Sequence, residues 1–251
     1  MYEELLEGKR AIVTGGGGGI GSALVTNLHR SGVAVVAIGR SANVSDVVAG
    51  LTGSGTQVFA VEADLADPVQ AEQAFGRAVE DLGGLDILIT AHGHVQPGPS
   101  AEVPLEDWDR TLATNLTSVF QLSQLAYKEM APAGRGKMIH IASMYAFFGG
   151  LKVAAYAASK GGVGQLTKGL SNEWASTGIN VNAIAPGYVR TNLNRHIWQD
   201  PKRAAEVLGR IPAGRWGEPD DLFGAVVFLS SSLSDYVHGV VLPVDGGYLA
   251  R

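Results

Sequence analysis

Cysteine is absent from the 251-residue chain, which excludes a disulfide scaffold, thiolate-bound metals and thiol nucleophiles. A surplus of positive charge is missing too. With 19 Lys and Arg against 24 Asp and Glu, the formal net charge is -5, so no broad cationic surface is at hand to neutralise a nucleic-acid backbone. No apolar stretch approaches the roughly 18 residues of a membrane span. The acidic start MYEELLEGKR lacks the basic and then apolar order of a secretory signal. These absences predict a soluble cytoplasmic protein with a small-molecule ligand, no nucleic-acid partner and no membrane. The length predicts one domain over residues 1–251.

Glycine, by contrast, is abundant, at 34 residues, nearly twice the usual share of about 7%. It punctuates the chain rather than making it low in complexity. Short runs rich in Val and Ile fall at 11–14, 33–39, 56–63, 85–90, 136–143, 180–186 and 239–246. Near-continuous apolar runs of this length are how strands read when both faces of a sheet are covered, which implies parallel pairing. Helical patterns lie between them, near 19–31, 67–82, 104–131, 153–177 and 218–231, and Pro68, Pro104 and Pro219 stand at three of their starts. Seven strands alternating with helices predict an α/β fold, a doubly wound parallel sheet with helices on both faces. Its ligand belongs outside the carboxyl ends of the strands. The segment 187–216 is too long for an ordinary connection and is predicted to be a substrate lid.

The run TGGGGGIG, Thr14 to Gly21, follows the first strand and opens a helix. Without side chains the backbone approaches a pyrophosphate closely, and the helix N-terminus favours its charge. Two registers are open: Gly16, Gly18 and Gly21, or Thr14, Gly15, Gly19 and Gly21. No Lys-Ser/Thr pair follows, which excludes a P-loop. The second strand ends at Gly39 and Arg40 with no carboxylate before Asp46. An acid there would grip a ribose 2′-hydroxyl, whereas an Arg accommodates a 2′-phosphate, so NADP is favoured over NAD. Asp64 is placed to bond the adenine or to cap the following turn.

Tyr156 and Lys160 lie one helical turn apart on one face. A phenol with a pKa of about 10 is a poor base until a neighbouring ammonium stabilises its anion, so the pair predicts a lowered Tyr156 pKa. Ser143 ends the fifth strand at the ligand edge, where its hydroxyl can bond a substrate oxygen or cap a turn. Asn115 is polar amid Leu112, Leu116, Val119 and Phe120; its amide is placed to hold a water near Lys160 or to satisfy a nearby backbone group.

In order and spacing, the chain resembles the short-chain dehydrogenases/reductases over residues 8–251. The resemblance rests on TGGGGGIG at 14–21, ADL at 63–65, Asn115, Ser143, Tyr156 with Lys160, and Pro186 and Gly187 followed by Thr191. It implies a single-domain extended Rossmann fold, NAD(P)-dependent interconversion of a secondary alcohol and a ketone, and a homotetramer packed through the long helices after the fourth and fifth strands. It also implies a catalytic tetrad of Asn115, Ser143, Tyr156 and Lys160. Cofactor contacts are implied at Gly15, Gly19, Ile20, Gly21, Arg40, Asp64, Leu65, Ala91, Gly93, Tyr156, Lys160, Pro186, Gly187, Val189 and Thr191.

Where the family has Asn-Asn-Ala-Gly after the fourth strand, this chain has Thr90, Ala91, His92 and Gly93, and Thr90 is expected to take over the bracing of the central strands. His92 and His94 lack a Cys or carboxylate partner in sequence, so no metal is expected there. The stretches IASMYAFFGG, NAIAPGYVRTNLN, RIPAGRWGEPDDL and SDYVHGVVLPVDGGYLAR are similar to those of members acting on 2-deoxy-D-gluconate and 2-dehydro-3-deoxy-D-gluconate. A sugar acid needs a cation for its carboxylate; the lid offers Arg190, Arg195, His196 and Arg215, with Arg190 and Arg195 favoured. The alternatives are a 3-oxoacyl-(acyl-carrier-protein) reductase and a non-catalytic NAD(P)H-binding regulator, the latter disfavoured because a sensor has no need of a tuned phenol.

Overall fold

The computed structural model describes residues 5–51 and 55–251; the first four residues of the acidic start lie outside them. Strands β1 (Arg10–Thr14), β2 (Ala34–Gly39), β3 (Val58–Glu62), β4 (Ile87–Thr90), β5 (Gly136–Ile141), β6 (Ile179–Pro186) and β7 (Val241–Val244) form one sheet in the order β3-β2-β1-β4-β5-β6-β7. Every neighbouring pair is parallel. All seven strands read from the sequence are present, in the doubly wound arrangement expected.

Period two along each strand divides the apolar residues between two faces. Ala11, Val13, Val35, Ala37, Ile87 and Ile89 pack with Leu24 and Leu28 of α1 (Gly19–Arg30). Ile12, Val36, Ile38, Leu88 and Met138 join Phe75 of α3 (Pro68–Leu82), Leu122 of α5 (Ser118–Met130) and Trp174 of α6 (Ala154–Trp174) on the other. Burial on both faces is why the strands read as continuous apolar runs. Connections run to opposite sides of the sheet from β1 and β4, so the carboxyl ends of these two strands open a crevice.

Three details differ from the sequence reading. A short helix α2 (Asn43–Ala49) follows β2. The helical run 104–131 is divided into α4 (Leu105–Leu112) and α5 by a π-helical turn, Ala113–Thr117. The long segment after β6 contains α7 (Arg195–Trp198) and α8 (Pro201–Leu208), the latter capped by Asp200, whose side chain accepts from Lys202 N and Arg203 N. A parallel bridge between Val189 and Gly217 ties the two ends of that insertion together ahead of α9 (Phe223–Ser230).

Leu88 is fully buried at the centre of the sheet. Leu88→Ala is expected to cost about 2–5 kcal/mol through lost burial and the cavity left behind, read as a lower urea midpoint.

Candidate functional site

A cleft of about 510 Å³ opens at the carboxyl ends of the strands. Its floor is the glycine turn. Gly15 has φ +70, and a Cβ there would stand 2.7 Å from the His92 amide nitrogen; a Cβ on Gly21 would collide with the Gly15 carbonyl. A Cβ on Gly16 would likewise stand 2.7 Å from Ala37 Cβ and one on Gly19 2.8 Å from Thr191 Cγ2, so glycine is required in both registers. Gly16 N donates to Ile38 O at 3.0 Å, pinning the turn to β2. Gly18 opens α1 without any side-chain cap, which leaves the first helical amides for an anion. Gly15, Gly19, Ile20, Gly21, Arg40, Asp64, Leu65, Ala91, Gly93, Pro186, Gly187, Val189 and Thr191 all line the cleft.

Arg40 is exposed at the rim beside Ser41 and Asn43. Asp64 accepts from Ala66 N at 3.1 Å, which braces its turn, while the cap of α3 is Asp67, bonded to Val69 N and Gln70 N. This glycine cradle with open helix amides and a rim arginine fits a nicotinamide dinucleotide.

The departure at 90–93 resolves differently from the expectation. Among the described residues Thr90 Oγ1 is buried without a hydrogen-bond partner, so the Thr90 side chain is not the brace. The brace is His92. Its Nδ1 lies 2.5 Å from Thr14 Oγ1 and its Nε2 2.7 Å from Ser118 Oγ, joining β1 to α5. Ser118 gives its own proton to Thr114 O, so the ring must donate from Nε2 and accept at Nδ1. Burial and the nearby Lys160 charge hold the ring neutral, with its pKa lowered to about 3. Among the described residues no cluster of three or more His, Asp or Glu is placed to hold a metal.

The π turn carries Asn115 into the interior. Its Oδ1 accepts from His94 N at 2.7 Å, and its Nδ2 donates to His94 O at 2.8 Å and to Ser159 Oγ at 3.0 Å. Asn115 is thus engaged with backbone and α6. Lys160 is buried on α6 and donates from Nζ to Ile141 O at 2.7 Å. Burial lowers its pKa to about 8.

Tyr156 and Ser143 both line the cleft. The Lys160 ammonium lies 5.8 Å from the Tyr156 ring centre. Contrary to the lowered pKa expected for Tyr156, desolvation raises it to about 12, only partly opposed by a hydrogen bond with Ser143. The ammonium is turned to Ile141 O, so at neutral pH the phenol keeps its proton.

Two of the lid cations are already engaged with carboxylates. Arg190 pairs with Glu218 at 3.1 Å, and Arg215 holds Asp221 through two contacts at 2.6 and 2.7 Å. Arg195 and His196 are exposed on α7, and Arg190 lines an adjoining cavity of about 630 Å³ that shares Gly19, Thr191 and Asn192 with the cleft. An aromatic group passed over in the sequence lies beside Tyr156. The Tyr145 ring is 6.0 Å from Tyr156, and Tyr188 is 5.6 Å from Tyr248. Its signal was positional: Tyr145 and Tyr188 each follow a strand end by a few residues.

A family model described as enoyl-(acyl carrier protein) reductase matches residues 15–249. The chain belongs to the short-chain dehydrogenase/reductase family. It is 44% identical to the 2-dehydro-3-deoxy-D-gluconate 5-dehydrogenase of Escherichia coli K12, over 98% of this chain and 97% of that one. A putative NAD(P)-dependent gluconate 5-dehydrogenase from Beutenbergia cavernae, solved with NADP at low occupancy, superposes with a TM-score of 0.94 at 43% identity, over 98% of both chains. A putative 2-deoxy-D-gluconate 3-dehydrogenase from Agrobacterium tumefaciens with bound NADP gives 0.89 at 44% identity, again over 98% of both.

The half-buried His92 and the buried His140 predict acid sensitivity. The pKa of His92 falls to about 3 and that of fully buried His140 to about 4, from the ordinary 6.5. The unfolded chain therefore binds more protons below pH 6.5, and the stability present above it is lost as pH falls towards 4. The urea midpoint should drop between pH 7.5 and 5, and His92→Asn should flatten that slope while weakening NADP binding.

Proposed function

We propose that this protein interconverts a secondary alcohol and a ketone on a sugar acid, with NADP favoured over NAD. The observation that carries the reading is the Tyr156 phenol, bonded to Ser143 and one helical turn from the buried Lys160, at the edge of a cleft walled by glycines. A bound nicotinamide supplies or accepts the hydride. In the reducing direction Tyr156 gives its proton to the carbonyl oxygen, and Ser143 bonds the same oxygen. In the oxidising direction the phenolate takes the hydroxyl proton. Lys160 places a positive charge beneath the site, and Asn115 holds the His94 loop that carries Gly93 over it. Arg40 takes the 2′-phosphate of NADP, and residues 187–216 close over the substrate.

The sugar-acid class is supported by the names of the relatives. An acyl-carrier substrate is less well supported, since Arg190 and Arg215 are already paired with carboxylates and leave little free positive charge for an acidic carrier. A regulator without chemistry has no use for a buried ammonium beside a phenol. The family resemblance also implies a cytoplasmic homotetramer, and Phe120, 41% exposed on α5, supports a partner at that helix.

General acid-base help is worth about 10² to 10⁴ in rate. Tyr156→Phe should lose that much in kcat/KM while NADP still binds in a fluorescence titration; turnover near wild type overturns the assignment. With the phenol protonated up to about pH 12, ketone reduction should dominate at neutral pH and alcohol oxidation should climb as pH rises. Arg40→Glu should shift the kcat/KM ratio towards NAD, by about tenfold or more for the loss of one charged contact.

A further inference from the structure

The sugar-acid reading still needs a cation for the carboxylate, and Arg190 and Arg215 already hold Glu218 and Asp221. Another cation on the insertion, Arg210, is joined to Tyr156 through a run of aromatic rings. Arg210 follows α8 on the returning limb, and the next residue, Ile211, is buried. Ala213 N donates to Gly246 O at 2.9 Å, which pins this limb to the segment bearing Tyr248. The Arg210 guanidinium sits 4.5 Å from the centre of the Tyr248 ring. Among the described residues it forms no ion pair. A guanidinium stacked on a ring face keeps its N–H edge free for a planar, two-oxygen acceptor, and the stacking restricts its rotamers beforehand.

The intervening surface is polar at its tips. Tyr248 is 5.6 Å from Tyr188, and Tyr145, which touches Tyr156 edge-on at 6.0 Å, lies close enough to Tyr188 to act on its phenol. Burial foremost, and then Tyr145, raise the Tyr188 pKa, while the charges of Arg210 and Arg203 oppose them. Tyr188 therefore keeps its proton and has a hydroxyl to offer a polyol chain.

We propose that Arg210, seated on Tyr248, receives the carboxylate of the substrate, with Tyr145 and Tyr188 contacting the hydroxylated chain between it and Tyr156. The inference rests on the sugar-acid reading and names the residue that enforces it. The test compares kcat/KM for D-gluconate with that for its uncharged amide, D-gluconamide, using NADP. The wild type should prefer the acid, and Arg210→Gln should lower the acid-to-amide ratio about 100-fold, the scale of a lost charge-assisted double contact. Arg210→Lys should lower it about tenfold, because the charge persists without the planar fork. If Arg210→Gln no longer binds NADP in a fluorescence titration, the ratio in Arg210→Lys decides. A wild type that prefers the acid, with a ratio in the deciding variant within about threefold of it, overturns this assignment alone. A wild type that reduces uncharged ketones but acts on no sugar acid overturns the functional reading and this inference with it.

Discussion

Among the described residues no carboxylate pairs with the buried ammonium of Lys160, and the interior around the cleft is arranged to tolerate that charge. Its hydrogen-bond partner is the carbonyl of Ile141, at the very end of β5. An uncompensated charge in a low-dielectric interior penalises every other positive charge nearby. Both neighbouring imidazoles are accordingly kept neutral, by burial first and by Lys160 second. Neutral rings need partners that can either give or take a proton, and hydroxyls serve both ways: Thr14 and Ser118 around His92, Ser123 and Thr167 around His140.

The two rings solve this requirement differently. At His92 Ser118 already gives its proton to Thr114 O and accepts from the ring, so Thr14 turns its one proton from Ile89 O, 3.5 Å away, to Nδ1. At His140 both hydroxyls sit within reach of helix carbonyls, Val119 O for Ser123 and Val163 O for Thr167. A neutral ring has one N–H, so one of these hydroxyls must turn from its carbonyl to the bare ring nitrogen. The strand ends beneath the cleft are therefore joined to α5 and α6 by hydroxyl-imidazole chains rather than by ion pairs.

Much of this was legible in the sequence. The seven strands announced themselves because burial keeps them largely apolar, with a few polar side chains such as His140, Asn180 and Asn182 among them, and the glycine turn because steric closeness between Gly15, Gly21 and His92 admits no side chain. Tyr156, Lys160, Ser143 and Asn115 were singled out by spacing; the first three line the cleft, while Asn115 lies behind it, bonded to the His94 backbone and Ser159. What the sequence did not reveal was decided by contacts distant along the chain. The partners of His92 lie 78 and 26 residues away, so Thr90, adjacent in sequence, looked the better brace. The electrostatics of Tyr156 depend on where the Lys160 side chain points, which helical spacing leaves open. The lid arginines looked free because Glu218 and Asp221, which hold two of them, lie at the far end of the insertion.

The bridge between Val189 and Gly217 gives that insertion a property of its own. Entry and exit strands meet side by side, so the residues between them form a closed loop whose base is borne by the sheet. Within such a loop, sequence can change without moving the catalytic strand ends. Past Asn194, where the loop leaves the cleft lining, selectivity for the substrate can then be altered apart from competence for hydride transfer, as two separable inheritances of one chain.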